Sequence, residues 1–162
     1  SDKSIGEIVR ACITMSREKT GALIVIEDAI NLKENEKNGI SINADISSQL
    51  LINIFEHNTP LHDGAVIIRE DRILAATCYL PLSDNLELSK ELGTRHRAAV
   101  GISEISDSLT VVVSEETGAI SIARFGYLTR NITSDRLEQE LLEFSGKNDN
   151  PKRSFWHRKG DK

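Results

Sequence analysis

Gly64-Ala65-Val66-Ile67-Ile68-Arg69-Glu70-Asp71-Arg72-Ile73-Leu74-Ala75-Ala76-Thr77-Cys78-Tyr79-Leu80-Pro81 reads as two strands, Ala65 to Arg69 and Ile73 to Leu80, closed by a tight turn at Glu70-Asp71. Pro81 ends the second strand, because proline cannot donate to a ladder. Leu109 to Val113 and Ala119 to Ala123 repeat the arrangement around Ser114-Glu115-Glu116-Thr117-Gly118, a second hairpin by length and turn composition. Ala22-Leu23-Ile24-Val25-Ile26 has the β-branched character of a strand buried on both faces.

Helical patterns fill the intervals. Ser4 to Arg17 carries Ile5, Ile8, Val9, Cys12, Ile13 and Met15 at near-helical spacing. Asp45 can cap a helix from Ile46 to Glu56, after a polar, loop-like stretch from Glu34 to Gly39. A short helical piece is expected from Leu86 to Leu92, a longer one from Arg95 to Ile105, and a last one from Asp135 to Phe144. Helices interleaved with two hairpins predict an α/β single-domain sandwich, a central mixed, twisted sheet flanked by helices.

The chain has 162 residues, room for one domain with a real core. Hydrophobic residues make up 39% and charged residues 28%, a globular profile without an apolar run long enough to span a bilayer. It opens on Ser1-Asp2-Lys3 without an initiator Met or signal peptide, and reads as a soluble piece excised from a longer protein. The net charge of −5 argues against a domain that coats nucleic acid. Beyond Gly146, however, six Lys or Arg stand against two Asp. We therefore divide the chain into a folded domain, 1–145, and a basic, disordered tail, 146–162. Cys12 and Cys78 have no metal-type or redox spacing and read as reduced core residues of a cytoplasmic protein, with a single disulfide between them as the alternative.

Gly93-Thr94-Arg95-His96-Arg97 carries the strongest chemical signal. Thr94 is a plausible N-cap, so Arg95, His96 and Arg97 fill the first helical turn, where cations oppose the helix dipole at a cost of up to about 1 kcal/mol each. A bound phosphate would reverse that sign, since free N–H groups, the dipole and two guanidinium forks would all face it. The alternative is that Arg95 and Arg97 are solvated or paired with Glu91 or Glu104, and that His96 points into the core. In Leu61-His62-Asp63-Gly64-Ala65, a carboxylate beside a glycine turn suits a general base or hard-metal ligand, with the imidazole beside it on a divalent ion. Asp-Gly is also a common turn dipeptide. Glu115 and Glu116, after Ser114, can bind a cation or simply be solvated, and Tyr79 is one of few aromatics able to stack on a planar ligand. Together these segments describe a metal–nucleotide site and leave the reaction unnamed.

The sequence closely resembles the diadenylate cyclase (DAC) domain family, in particular its membrane-anchored CdaA type from Gram-positive bacteria. The segments that carry the likeness are Ile46-Ser47-Ser48-Gln49-Leu50-Leu51-Ile52-Asn53-Ile54-Phe55, Asn58-Thr59-Pro60-Leu61-His62-Asp63-Gly64-Ala65-Val66-Ile67-Ile68, Tyr79-Leu80-Pro81-Leu82-Ser83, Glu91-Leu92-Gly93-Thr94-Arg95-His96-Arg97-Ala98-Ala99 and Val112-Val113-Ser114-Glu115-Glu116-Thr117-Gly118. Its span is about Gly21 to Gly126, and only the basic tail lacks a clear family pattern.

The resemblance implies the DAC-domain fold and a nucleotidyltransferase that condenses two ATP into cyclic di-AMP and two pyrophosphates. It implies Mn²⁺, Mg²⁺ or Co²⁺ as cofactor, and a homodimer whose two sites face each other. By position it assigns Asp63 to activation of the 3′-hydroxyl and Arg95, His96 and Arg97 to catalytic contacts with the phosphates. Gly64, Ala65, Tyr79, Leu80, Gly93, Thr94, Ser114 and Glu115 would bind ATP, with Tyr79 on the adenine. His62, Asp63, Glu115 and Glu116 would hold the metal. It further implies a native protein at the cell membrane with this domain in the cytoplasm, and as partners a membrane-bound regulator of the CdaR type and phosphoglucosamine mutase, but no nucleic acid. A non-catalytic module that senses nucleotide or cyclic di-AMP is the alternative. A generic ATP hydrolase would need a Gly-x-x-x-x-Gly-Lys-Ser/Thr loop, which the sequence lacks.

Overall fold

Five consecutive apolar residues make Ala22–Ile26 (β1) the centre of the molecule. Successive side chains of a strand point to opposite faces, so Ala22 and Ile24 enter one core while Leu23 and Val25 enter another. The computed structural model of the chain describes residues 1–146. Among these, β1 is joined by Ile40–Asp45 (β2), Ala65–Arg69 (β3), Arg72–Cys78 (β4), Leu109–Val113 (β5), Ile120–Arg124 (β6) and Tyr127–Ile132 (β7) in one sheet of order β2-β4-β3-β1-β5-β6-β7. β1 runs parallel to β3, and the other pairings are antiparallel, which makes the mixed sheet that the two hairpins predict.

Asp2–Glu18 (α1), Ser48–Phe55 (α3) and Ser134–Gly146 (α5) cover one face, where Met15, Leu51, Phe55 and Leu137 pack on Ile24, Val66 and Val111. Thr94–Ile105 (α4) covers the other, with Ala99, Val100 and Ile102 over Leu23, Val25 and Ile67. The small side chains of α4 let it lie close to the sheet. Cys12 and Cys78 are buried free thiols, each pushed up to about 12 mainly by desolvation.

Several local expectations are corrected. The stretch from Glu34 is a short helix, Lys33–Lys37 (α2), not a loop. Asp45 ends β2 and pairs with Arg72 at 2.7 Å, so Ser47, whose Oγ accepts from Leu50 N–H, caps α3 instead. Gly93, not Thr94, is the N-cap of α4. Leu86 to Leu92 forms turns, because Asn85 Oδ1 and Ser89 Oγ capture the N–H groups of Glu87 and Glu91. Strand β7, not foreseen at all, returns from β6 through a two-residue turn with positive φ at Phe125 and Gly126. The division at 145/146 falls in the last turn of α5, and the tail after Gly146 lies outside the described residues.

The connection after β1 is anchored from within. Glu27, 4% exposed, accepts from Arg69 through Nε and Nη2 and from the Leu32 N–H at 2.7 Å. Arg69 also reaches Glu36 at 3.0 Å. This network fixes the segment leading to Asn35 and Asn38. Asn38 Oδ1 accepts from Tyr79 N–H at 2.8 Å, and the Asn35 amide donates to the Tyr79 carbonyl at 3.2 Å.

Candidate active site

The register places chemically active segments at one end of the sheet. Ala22 pairs with Val113, and Ala65 with Cys78, so the start of β3, the end of β4 and the end of β5 open on the same side as the start of α4. They line a cavity of about 870 Å³, within the size range of small-molecule sites. Asp63 and Gly64 enter it from the mouth of β3, Tyr79 and Leu80 from the end of β4, and Gly93, Thr94, Arg95 and His96 from α4. Ser114, Glu115 and Glu116 close it from the β5–β6 turn. His62, Ala65 and Arg97 do not line it. Ala65 is wholly buried beneath α4, and His62 stands behind Asp63.

Each wall has its own chemistry. Gly93 offers no side-chain cap, and the first turn of α4 holds no acid, so its leading N–H groups and dipole face the cavity uncompensated. Arg95 Nη1 lies 3.5 Å from Glu115, and its buried Nε has no hydrogen-bond partner. Ser114 Oγ accepts from the N–H groups of Glu116 and Thr117, both at 3.2 Å, which leaves its O–H to donate outward. The Tyr79 ring is 76% exposed at the mouth, while the paired asparagines hold its backbone. Gly64 adopts φ +83°, and a Cβ there would meet the Thr77 backbone at 2.8 Å, so the strand pair itself demands this glycine.

Arg130 on β7 also lines the cavity and takes Glu91 at 2.8 Å, the acid that could have paired with Arg95 or Arg97. Glu104 accepts from Ser83 Oγ instead. Arg130 went unread because β7 did, although the Phe125-Gly126 turn ahead of an aromatic and β-branched run was a usable hairpin signal. The wall therefore bears two guanidiniums, Arg95 and Arg130, against four carboxylates, Asp63, Glu91, Glu115 and Glu116. A bare polyphosphate meets net negative charge here, whereas a metal-bound one does not.

The donors present suit such an ion. His62 Nδ1 is 2.7 Å from the Thr59 carbonyl, which fixes the N–H there and leaves the Nε2 lone pair 3.5 Å from Asp63 Oδ1. Two ligands about 2.1 Å from one ion stand roughly 3.0–3.5 Å apart, so this pair can share a cation. Among the described residues no three His, Cys, Asp or Glu side chains form a metal-binding group. Glu115 and Glu116 follow β5, two strands from β3 and about 10 Å away across the sheet. The protein offers a partial set that phosphate oxygens would complete, as is usual for Mg²⁺.

His96 is buried, and its pKa is lowered by desolvation first and then by Arg130 and Arg95, against an opposing pull from Glu116. The unfolded imidazole titrates near about 6.5, so the unfolded chain binds more protons just below that pH. This residue's contribution to stability is therefore complete above about 6.5 and is lost as pH falls through the lower folded pKa. Urea midpoints measured from pH 8 to 5 should show the decline, and His96→Gln should flatten it.

Fold and cavity thus define an α/β domain with a small-molecule-sized cavity, lined by guanidinium, carboxylate and helix N-terminal groups, at one end of its mixed sheet. The family described as "DisA bacterial checkpoint controller nucleotide-binding" (DAC) matches residues 9–128, and the chain belongs to it. It is 50% identical over 161 residues to the cyclic di-AMP synthase CdaA of Bacillus subtilis (strain 168), covering 99% of this chain and 59% of that protein. It is 53% identical over 139 residues to a diadenylate cyclase of Listeria monocytogenes serotype 1/2a (strain 10403S), covering 86% and 51%. The chain thus spans a little over half the length of these relatives, and the first match runs past residue 146 into the stretch where the motifs stop. Among solved structures, that of DacA from Staphylococcus aureus superposes with TM-score 0.87 at 50% identity, covering 88% of this chain and 95% of that one. A protein from Bacillus cereus described as a hypothetical membrane spanning protein superposes with TM-score 0.75 at 44% identity.

Proposed function

We propose that the chain is the catalytic domain of a diadenylate cyclase, joining two ATP into cyclic di-AMP with release of two pyrophosphates. The observation that carries this reading is the convergence of Asp63, Arg95 and Ser114 on one nucleotide-sized cavity, in a family whose relatives are named for that activity. Arg95, the first turn of α4 and the Ser114 O–H bind the phosphates, while Tyr79 packs on adenine and the Leu80 backbone reads its edge. His96 sits under the phosphates, with Arg97 supporting the same turn. Asp63 takes the proton of the 3′-hydroxyl as it attacks the other nucleotide's α-phosphorus, and the bond to pyrophosphate breaks. His62 and Asp63 would hold the divalent ion together with phosphate oxygens, while Glu115 and Glu116, on the opposite wall, would add negative charge around the metal-bound polyphosphate. When bound, Mn²⁺, Mg²⁺ or Co²⁺ supplies charge neutralisation and a lower 3′-hydroxyl pKa.

One site binds one ATP, so two copies must face each other, and the remaining work is orientation and charge stabilisation. In the longer protein this domain faces the cytoplasm from the cell membrane, with a CdaR-type regulator and phosphoglucosamine mutase as partners. The greater length of the relatives and the B. cereus neighbour support that placement. Among the described residues no helix is long and apolar enough to cross a membrane. The basic stretch after residue 146 lies outside the catalytic unit.

Incubation with ATP and Mn²⁺ should yield cyclic di-AMP and pyrophosphate, with no ADP. Specific activity should rise with protein concentration in the dilute range. Failure across metals and concentrations would defeat the reading, and tight product binding without turnover would favour a sensor instead.

A further inference from the structure

Gly21 stands between the end of α1 and β1 and is named by none of the motifs that mark the site. The register that pairs Ala22 with Val113 sets Gly21 beside Ser114. A Cβ at Gly21 would lie 2.6 Å from both Cζ and Nη1 of Arg95, and 3.0 Å from Nη2. Near-equal distances to three atoms of one planar group mean that the guanidinium lies face-on over the Gly21 α-carbon. Its edge is then directed by Glu115, 3.5 Å from Nη1, and its buried Nε stays unpartnered.

From this geometry we infer that Gly21 is a positioning residue for phosphate binding: only a residue without a side chain leaves the floor on which Arg95 rests. The inference rests on the proposed role of Arg95 as a phosphate contact. Every atom that a Cβ would meet within 4 Å among the three nearest belongs to the mobile end of a side chain, not to backbone. Gly21→Ala therefore displaces the guanidinium while leaving the sheet in place. A planar fork that has lost its orientation loses its paired hydrogen bonds to phosphate first.

The test is calorimetric titration of α,β-methylene-ATP with Mg²⁺, and of adenosine, into wild type, G21A, R95A and G21A/R95A. The expected result is that G21A weakens the analogue about tenfold or more, adenosine is unchanged, and the double variant binds no worse than R95A. Wild-type affinity in G21A, or losses that add independently, would overturn the inference. If R95A itself binds normally, the phosphate role of Arg95 fails, and the inference with it, which is a distinct outcome. Should G21A not fold, recovery of folding in G21A/R95A supports the contact, because the obstructing group is gone. Failure of both to fold assigns Gly21 to the backbone alone and refutes the proposal.

Discussion

Asp63→Asn is expected to lower cyclic di-AMP formation by about 10²–10⁴-fold, the range for removing a positioned general base. The carboxylate side chain is 88% exposed and touches His62 alone among the described ion pairs, so the substitution keeps size and shape and leaves the core untouched. What it removes is the proposed proton acceptor at the cavity mouth and the one carboxylate charge beside His62. Product formation would be followed by chromatography, with the melting temperature as control. A variant that retains more than a tenth of wild-type activity would show that the 3′-hydroxyl loses its proton elsewhere.

The largest effect on stability is expected away from the cavity, at Glu27. Glu27→Ala strands the Arg69 guanidinium and the Leu32 N–H together. Breaking a buried pair from one side destabilises by about 3–5 kcal/mol. Arg69 is a third exposed and retains Glu36, so the lower end, about 3 kcal/mol, is expected. Chemical denaturation would measure it, and a loss below about 1 kcal/mol would mean that water replaces the carboxylate. Because the same network leads to the asparagines that hold the Tyr79 backbone, the variant should also bind adenine nucleotides more weakly.

How far the sequence discloses this molecule depends on burial. Strands β1, β3 and β5 are legible because both faces are covered and their residues are almost all apolar. β2 and β7 lie at the edges, where Ser41, Asn43, Arg130 and Asn131 need no apolar alternation, and a pattern that burial does not impose cannot be read. The same reason hides Arg130. Asp45 misleads as a cap because its oxygen suits the role as well as that of Ser47, and the Arg72 pair across the sheet takes it.

Much of the cavity lining is legible as contiguous motifs, although His62, Ala65 and Arg97 from those motifs do not line it and Arg130 lies outside them. The pairings within the site are not legible. Glu115 rather than Glu91 or Glu104 meets Arg95 because the β1–β5 register carries the β5–β6 turn to the start of α4, and register is a tertiary fact. The pairing of Glu91 with Arg130, 39 residues apart in the chain, is likewise a tertiary fact, and it is what keeps that acid from Arg95 and Arg97.

The position of β1 also governs how the molecule comes into being. Ile24 pairs with Val66 on one side and Val111 on the other, so the central strand gains nothing from its neighbours in the chain. Two local pieces, the β3–β4 hairpin and the β5–β6–β7 meander, can form early, and β1 stitches them at the price of long loop closures. The cavity straddles that seam: Asp63 and Tyr79 come from one piece, Ser114 and Glu115 from the other. A partly folded chain, whatever secondary structure it has gained, holds no assembled pocket, and nucleotide can select only molecules in which the slow, long-range step is finished.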